Sequence, residues 1–205
     1  MSAWLSRALD LSRARGFLGP QPIEVQFTHA EGFAQAWDQV GVGTPSSTLD
    51  LGSGGGVPGL VLLDIWRSPI TMLDAMEKRT TFLKEVLLWD DSPSDGEVIT
   101  GRAEDVARNP QYLENFELVV ARSFAPPAVV AECASRFLRI EGILVVSEPP
   151  EETSSRWNPE GLERLGLTDL GLFRSTANFR AIKKIAPTPE EFPRATGVPG
   201  KKPLF

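Results

Sequence analysis

Histidine and cysteine are almost absent from this sequence of 205 residues, which contains one of each, His29 and Cys133. A single cysteine excludes a disulfide within the chain, and the two residues together are too few for a structural zinc site. No apolar run approaches the roughly 20 residues that a membrane-spanning helix needs. The first residues, MSAWLSRALDLSRARGF, mix acids with arginines and contain no apolar signal core. We therefore expect a cytoplasmic protein that uses neither a metal nor a membrane.

An excess of basic residues is lacking as well. The chain carries 21 Lys and Arg against 27 Asp and Glu, for a formal net charge of −6. A broad nucleic-acid-binding surface normally has a basic footprint, so the overall charge argues mildly against one. A hydrophobic content of 41% and a charged content of 23% are ordinary for a globular protein, and the length suits one compact domain.

Short apolar runs alternate with helical patterns through the middle of the chain. Residues 1–43 are predicted to be helical, with a break at 19–22, and to form an N-terminal helical cap on an α/β domain at 44–205. Buried strands are predicted at TLDL, ITMLD, GEVITG, FELVVAR and GILVVS, with helices between them. This alternation is typical of βαβ units and a parallel sheet. After Pro150, LGLTDLGLFRS and TANFRAIKKI predict an antiparallel hairpin, which a proline-rich extended segment follows.

A glycine-rich turn, LDLGSGGGVPG, follows the first predicted strand. Two templates fit it. Gly54, Gly56 and Gly59 satisfy the dinucleotide pattern G-x-G-x-x-G, while Asp50, Gly52, Gly54 and Gly56 satisfy D-x-G-x-G-x-G, the usual turn of class I S-adenosylmethionine (SAM) methyltransferases. Pro58 suits the first turn of the helix that follows. A Walker loop is excluded because no Gly-Lys-Ser/Thr follows, and glycine spacing alone is a weak signal.

Three acidic residues bear on the choice between the two cofactors. Asp74 ends the second strand, where a carboxylate accepts the ribose hydroxyls of adenosine in either template. Asp50 favours SAM, because its carboxylate would meet the ammonium of a methionine moiety, whereas a dinucleotide would bring phosphates close to it. Glu104, next to Ala103 after the third strand, is placed to orient an adenine edge. The alternatives are structural: Asp50 as an acceptor for loop amides, and Glu104 as a helix-start acid stabilised by the helix dipole.

The stretches LDLGSGGGVPGL, ITMLDAMEKRTTFLKEV, ITGRAEDVA and LVVARSFA resemble, in order and spacing, the GidB/RsmG family of SAM-dependent methyltransferases. The closing APTPEEFPRATGVPGKKPL is similar to the C-terminal signature of that family. The resemblance implies a class I, Rossmann-like fold with a seven-stranded, mostly parallel sheet and a C-terminal antiparallel hairpin. It also implies methylation of N7 of a guanine in 16S ribosomal RNA, with ribosomal RNA or the small ribosomal subunit as the partner.

The resemblance also assigns residues to the site. SAM would contact Gly52, Val57, the Ala103–Glu104 pair and Arg122. Lys78 and Arg79 match a basic pair of the family after the second strand and are expected on the substrate side, although solvated surface charge is the alternative. An arginine at the end of a buried strand, such as Arg122, needs an anionic or hydrogen-bonding partner, and a SAM carboxylate or an RNA phosphate would serve.

Two segments depart from the family pattern. VQFTHAEGFAQAWDQVG retains His29 but lacks the Arg-His-x-x-Asp-Ser motif of the family. After the fifth strand, VVSEPPEE is acidic where the family is basic, and acids repel an RNA backbone. The substrate side is therefore the altered part. A class I methyltransferase with a different substrate, small molecule or RNA, and a non-catalytic SAM-binding paralogue are the alternatives; an NAD-dependent oxidoreductase is a distant further one.

Methylation of guanine N7 requires no general base, because the nitrogen already has an exposed lone pair. Holding the two reactants in line is expected to supply much of the rate enhancement. We therefore predict no catalytic acid or base, and we interpret His29 as a helix-face or capping residue. Phe124 is the candidate for stacking on an extruded guanine, with core packing as the equally weighted alternative.

Overall fold

Seven strands form a single sheet in the computed structural model, which describes residues 1–150 and 156–205. The sheet order is β3-β2-β1-β4-β5-β7-β6. In chain order the elements are α1 (Ala3–Ala14), α2 (Ile23–Val40), β1 (Thr48–Leu51), α3 (Gly59–Trp66), β2 (Ile70–Asp74), α4 (Glu77–Leu87), β3 (Gly96–Thr100), α5 (Ala103–Val106), β4 (Phe116–Ala121), α6 (Pro127–Ser135), β5 (Leu138–Glu148), α7 (Pro159–Glu163), β6 (Leu167–Arg174), β7 (Asn178–Lys184) and α8 (Val198–Lys201).

The strands β1 to β5 pair in parallel, and β7 pairs antiparallel with both β5 and β6. Six strands therefore share one direction and β7 is reversed, as the predicted C-terminal hairpin requires. Since β1 lies between β2 and β4, the chain changes winding direction at β1. A crevice therefore opens at the carboxyl ends of β1 and β4. Ligands of open α/β sheets bind in such a crevice.

Both faces of the sheet are covered, which explains why β1 and β2 are buried at every residue. One apolar cluster joins α1 to α4 with the face of the sheet that carries Met72 and Val120. The other joins α6 and α7 with the opposite face, through residues such as Leu49 and Val119. The helices predicted within residues 1–43 are present and belong to the first cluster, while their separation as a cap from the remainder stays a prediction.

The structure differs from the sequence prediction at short elements. The helices α7 and α8 lie outside the predicted elements, because helices of four or five residues give no periodic apolar signal, whereas α5 agrees with the alternative in which Glu104 is a helix-start acid. Pro58 is the N-cap of α3 rather than part of its first turn. The C-terminal segment, predicted to be wholly extended, contains α8.

Candidate cofactor cleft and acceptor cavity

A cleft of about 410 Å³ lies at the carboxyl ends of β1, β2 and β4. Its volume falls in the range of small-molecule sites. Six of the site residues predicted from the sequence are part of its lining: Gly52, Asp74, Arg79, Ala103, Glu104 and Phe124. Cys133 also lines it, and burial raises the pKa of its thiol, so the group is a neutral side chain there and no nucleophile.

The glycine turn forms the floor of the cleft. Gly52, Gly54 and Gly56 all have positive φ angles, of 80°, 54° and 95°, which is the conformation that glycine adopts without strain. The ring of Phe124 lies over Gly52, only 2.5 Å from where a Cβ would be placed. The turn is fastened to the sheet by the Gly52 amide, which donates to the carbonyl of Leu73 at 2.8 Å.

Asp74 holds the turn from the second strand. Its Oδ2 accepts from the amide of Gly54 at 2.9 Å, and its Oδ1 accepts from the amide of Met76 at 2.8 Å. Arg79 reaches the same carboxylate at 3.4 Å. Two amide donors and a cation fix an anionic carboxylate at the wall of the cleft, with acceptor capacity left for hydroxyl groups.

Glu104 lies at the start of α5, just after β3, and its side chain is 5% exposed. Its Oε1 accepts from the amide of Gly197 at 2.9 Å and lies 3.4 Å from Arg102. Gly197 and Gly200 are part of the cleft lining. The C-terminal segment therefore closes this end of the cleft, a contribution that the sequence pattern did not indicate.

Asp50 and Arg122 lie behind the cleft rather than in its lining. Asp50 is fully buried; its Oδ2 accepts from the amide of Gly59 at 2.8 Å, while its Oδ1 has no hydrogen-bond partner among the described residues. Burial raises the pKa of Asp50 to about 7. Arg122 donates to the side-chain carbonyl of Gln26 in α2, and its buried Nη1 has no partner within residues 1–150 and 156–205. Sequence reasoning missed Gln26, because no local pattern links α2 to the end of β4.

The remaining predicted residues are placed around this arrangement. Gly54 and Gly56 shape the turn, and Val57 is buried against the apolar core. Lys78 is exposed in the first turn of α4, next to the half-buried Arg79. These residues support the site or border it, whereas the residues that line the cleft come from five separate parts of the chain.

A second cavity, of about 350 Å³, adjoins the cleft. The two share Ser123, Phe124 and Ala125, so the ring of Phe124 stands where they meet. His29 lines the second cavity, and burial together with the nearby Arg122 lowers its pKa, so the imidazole is neutral. The acidic segment predicted after the fifth strand borders this cavity through Glu148, whereas Glu151 and Glu152 lie outside the described residues.

Two features are absent from residues 1–150 and 156–205. No group of three or more histidine, cysteine, aspartate or glutamate side chains is arranged to hold a metal ion in this part of the chain. None of the helices described there combines the length and apolarity needed to cross a bilayer.

The sheet order, the glycine turn and the cleft define a class I methyltransferase fold. Among solved structures, the antibiotic-resistance methyltransferase Kmr is similar, with a TM-score of 0.57 at 12% identity; the match covers 74% of this chain and 93% of that one. At this identity the similarity shows the fold alone.

Sequence comparison gives the family. Residues 32–152, more than half of the chain, match the model of the GidB family, rRNA small subunit methyltransferase G. A ribosomal RNA small subunit methyltransferase G of Symbiobacterium thermophilum is 35% identical over 89% of this chain and 80% of its own length. The corresponding protein of Dictyoglomus thermophilum is 32% identical over 77% of this chain and 68% of its own length. The chain belongs to the GidB family, and it is a methyltransferase, so the resemblance stated from the sequence is confirmed.

Proposed function

We propose that this protein transfers a methyl group from SAM to N7 of a guanine in 16S ribosomal RNA. The observation that carries the cofactor assignment is a pair of buried atoms without a hydrogen-bond partner among the described residues, Asp50 Oδ1 and Arg122 Nη1, at the carboxyl ends of the two strands β1 and β4. Buried polar atoms are nearly always hydrogen-bonded, and two of opposite charge fit the two ends of an amino-acid zwitterion. The ammonium of the methionine moiety would bind Asp50, and its carboxylate would bind Arg122.

The cleft offers matching groups for the rest of the cofactor. The Asp74 carboxylate is fixed by amides and has acceptor capacity for the ribose hydroxyls. Glu104 and the backbone of Ala103, which line the end closed by Gly197, would bind the adenine edge. The turn at Gly52, over which the ring of Phe124 lies, would border the chain between these two ends. When bound, SAM supplies an electrophilic methyl group on a sulfonium.

The methyl acceptor would enter from the second cavity. A cavity that shares a wall with the cofactor cleft brings the two reactants within reach of each other, and approximation is the main contribution that N7 methylation requires. The neutral His29 is not needed as a base, because N7 carries no proton. Phe124, at the boundary of the two cavities, would stack on the base and align it.

The RNA backbone would be held outside the cavity. Lys78 and Arg79 begin α4 at the edge of the cleft, and Arg102 is exposed beside Glu104. A few such cations near the opening give local phosphate contacts in spite of the acidic net charge. An enzyme that modifies ribosomal RNA would act in the cytoplasm, on the RNA or on the small subunit.

The proposal is tested by calorimetric titration and by methyl transfer. SAM should bind the wild-type protein, and Asp74→Asn and Glu104→Gln should each weaken binding by about tenfold, the effect of losing one charge-assisted hydrogen bond. Tritiated SAM should label guanine N7 in small subunits from a strain that lacks the gene. SAM binding without any labelling of ribosomal RNA would overturn the acceptor assignment, and binding of NADH in place of SAM would overturn the cofactor assignment.

A further inference from the structure

Glu148 lines the second cavity, which is called the acceptor cavity from here on because the methyl acceptor would enter through it. It is the last residue of β5, and it lines the 350 Å³ cavity together with Arg156 and Trp157, which take no part in the lining of the cofactor cleft. The cavity meets the cleft at Ser123, Phe124 and Ala125. The carboxylate therefore lies on a part of the wall that does not face the cofactor.

The carboxylate is held in a fixed orientation. Its side chain is 9% exposed, and Trp157, itself 2% exposed, donates its indole N–H to Oε1 at 2.5 Å. Arg156 donates to Oε2 at 2.5 Å. An ionised carboxylate has about four lone-pair sites, so each oxygen keeps further acceptor capacity. Two donors on the two oxygens fix the plane of the group, and a fixed plane favours a bidentate partner.

We propose that Glu148 selects guanine by accepting hydrogen bonds from its N1–H and N2–H₂ groups, an inference that rests on the function proposed above. These groups belong to the Watson–Crick edge, whereas N7 belongs to the neighbouring Hoogsteen edge, on the other ring of the purine. A guanine bound to Glu148 by N1–H and N2–H₂ would therefore leave N7 without a contact to the carboxylate and free to point towards the boundary with the cleft, where Phe124 lies. Adenine carries an acceptor at N1 and no amino group at position 2, so it would leave the buried carboxylate opposite a lone pair.

The geometry also explains why an acidic residue is tolerated in a protein that binds RNA. A carboxylate repels phosphates, but it recognises a base with two adjacent donors, and Arg156 offsets its charge. Each bidentate contact of this type discriminates between bases by about 5- to 100-fold. Glu148 is on this account a specificity residue that touches the base and takes no part in proton transfer.

The first experiment measures nucleotide binding in the presence of the demethylated cofactor, S-adenosylhomocysteine. The wild-type protein should bind GMP at least tenfold more tightly than AMP, with IMP, which keeps N1–H but lacks the amino group, in between. Glu148→Gln keeps the volume and an acceptor for Trp157 but turns an N–H group towards a donor of guanine. It should abolish the preference for GMP over IMP. Equal binding of GMP and AMP by the wild type, or an unchanged GMP-to-IMP ratio in Glu148→Gln, would overturn the proposal.

The matched control is Glu117→Gln. Glu117 also pairs with an arginine, Arg139, at 2.6 Å. It lies near the amino-terminal end of β4, whereas the cleft lies at the carboxyl ends of the strands. This control should leave the ratios of GMP to IMP and of GMP to AMP affinity unchanged, and the SAM affinity as well. A purely structural role of Glu148 would lower the melting temperature without altering the ratio of GMP to IMP, so the ratio separates the two roles.

The second experiment separates this inference from the function on which it rests. The kcat/KM for methyl transfer to small subunits should fall at least tenfold in Glu148→Gln, with SAM affinity unchanged. Wild-type transfer to ribosomal guanine together with full activity of Glu148→Gln would overturn the role of Glu148 alone. Absence of transfer by the wild type would overturn the proposed function, and the guanine assignment with it.

Discussion

Arg194 and Glu132 are joined by four hydrogen bonds, of 2.6 to 3.2 Å, between the C-terminal segment and α6. Glu132 is fully buried, whereas the side chain of Arg194 is 26% exposed. Three residues further along the chain, the Gly197 amide reaches Glu104. The ion pair therefore fastens the segment that closes one end of the cofactor cleft.

Arg194→Met is expected to lower the free energy of unfolding by about 2 to 3 kcal/mol, because it leaves a buried carboxylate without its cation. This loss of stability is small for a buried ion pair, because the Arg194 side chain is partly exposed. The backbone amide of residue 194 also still donates to Glu132 in the variant. SAM affinity should also fall, because the closing segment loses its attachment. Urea denaturation and calorimetry check the two effects. The double variant Glu132→Gln/Arg194→Met should recover part of the stability, and no recovery would contradict the explanation.

Asp50→Asn is expected to stabilise the cofactor-free protein at pH 8 and to weaken SAM binding. The folded-state pKa of Asp50, about 7, lies above the ordinary value of 3.8 because of burial. Between these two values the folded protein holds a proton that the unfolded chain has released, so stability falls as the pH rises towards 7 and the loss is complete above it. A shift of about three units corresponds to at most about 4 kcal/mol, and we expect on the order of 1 kcal/mol.

Thermal unfolding of wild type and Asp50→Asn between pH 5 and pH 8.5 provides the check. The stabilising effect of the substitution should grow across this interval and level off above pH 7. SAM should bind the wild type more tightly at pH 8 than at pH 6, since its ammonium favours the ionised carboxylate. A stability difference that is independent of pH would show that Asp50 does not titrate in this range.

Gly52→Ala should weaken SAM binding by tenfold or more. The substitution places a Cβ 2.5 Å from the ring of Phe124 and forces alanine into a positive φ of 80°. Gly16→Ala is the matched control, since Gly16 has a φ of 73° and no heavy atom within 4 Å of the added Cβ. Both variants carry the backbone strain, so calorimetry isolates the effect of the contact. Equal losses of affinity in the two would exclude a local role of Gly52.

Lys78→Ala should weaken RNA binding about equally for all sequences and leave SAM affinity unchanged. Lys78 is exposed at the start of α4, beside the cleft, and loss of one phosphate contact should reduce the salt slope of binding by about 1. Lys84→Ala, exposed near the other end of the same helix, is the control and should have no effect. Filter binding at several salt concentrations measures both slopes. An identical slope for Lys78→Ala and wild type would remove Lys78 from the RNA interface.

The strands of the parallel sheet could be predicted because buried apolar runs such as ITMLD stand out between turns. Asp74 and Glu104 could be placed at one edge, since carboxyl ends of parallel strands meet there. The approach of Gly197 to Glu104 could not be predicted, because it joins residues 93 positions apart through a segment without periodic structure. For the same reason the contact of Gln26 with Arg122 gave no signal in the sequence.

The side-chain direction of Asp50 could not be predicted from the sequence either. Its place in the glycine-turn pattern was evident, yet the pattern does not reveal whether the carboxylate faces the cleft or the helix behind it. The structure turns one oxygen to the amide of Gly59 and leaves the other unpartnered. Side-chain direction at a strand end depends on packing from both sides, including α2, which lies far away in the sequence.

The hydroxyl of Ser12, in α1, donates to the carbonyl of Gly55 at 2.8 Å, and the added Cβ of Gly55 would collide with Ser12 and Phe17. The helix α1 therefore contacts and supports the glycine turn directly. A fragment that begins near residue 44 would lack this hydrogen bond, so it should bind SAM more weakly than the full chain.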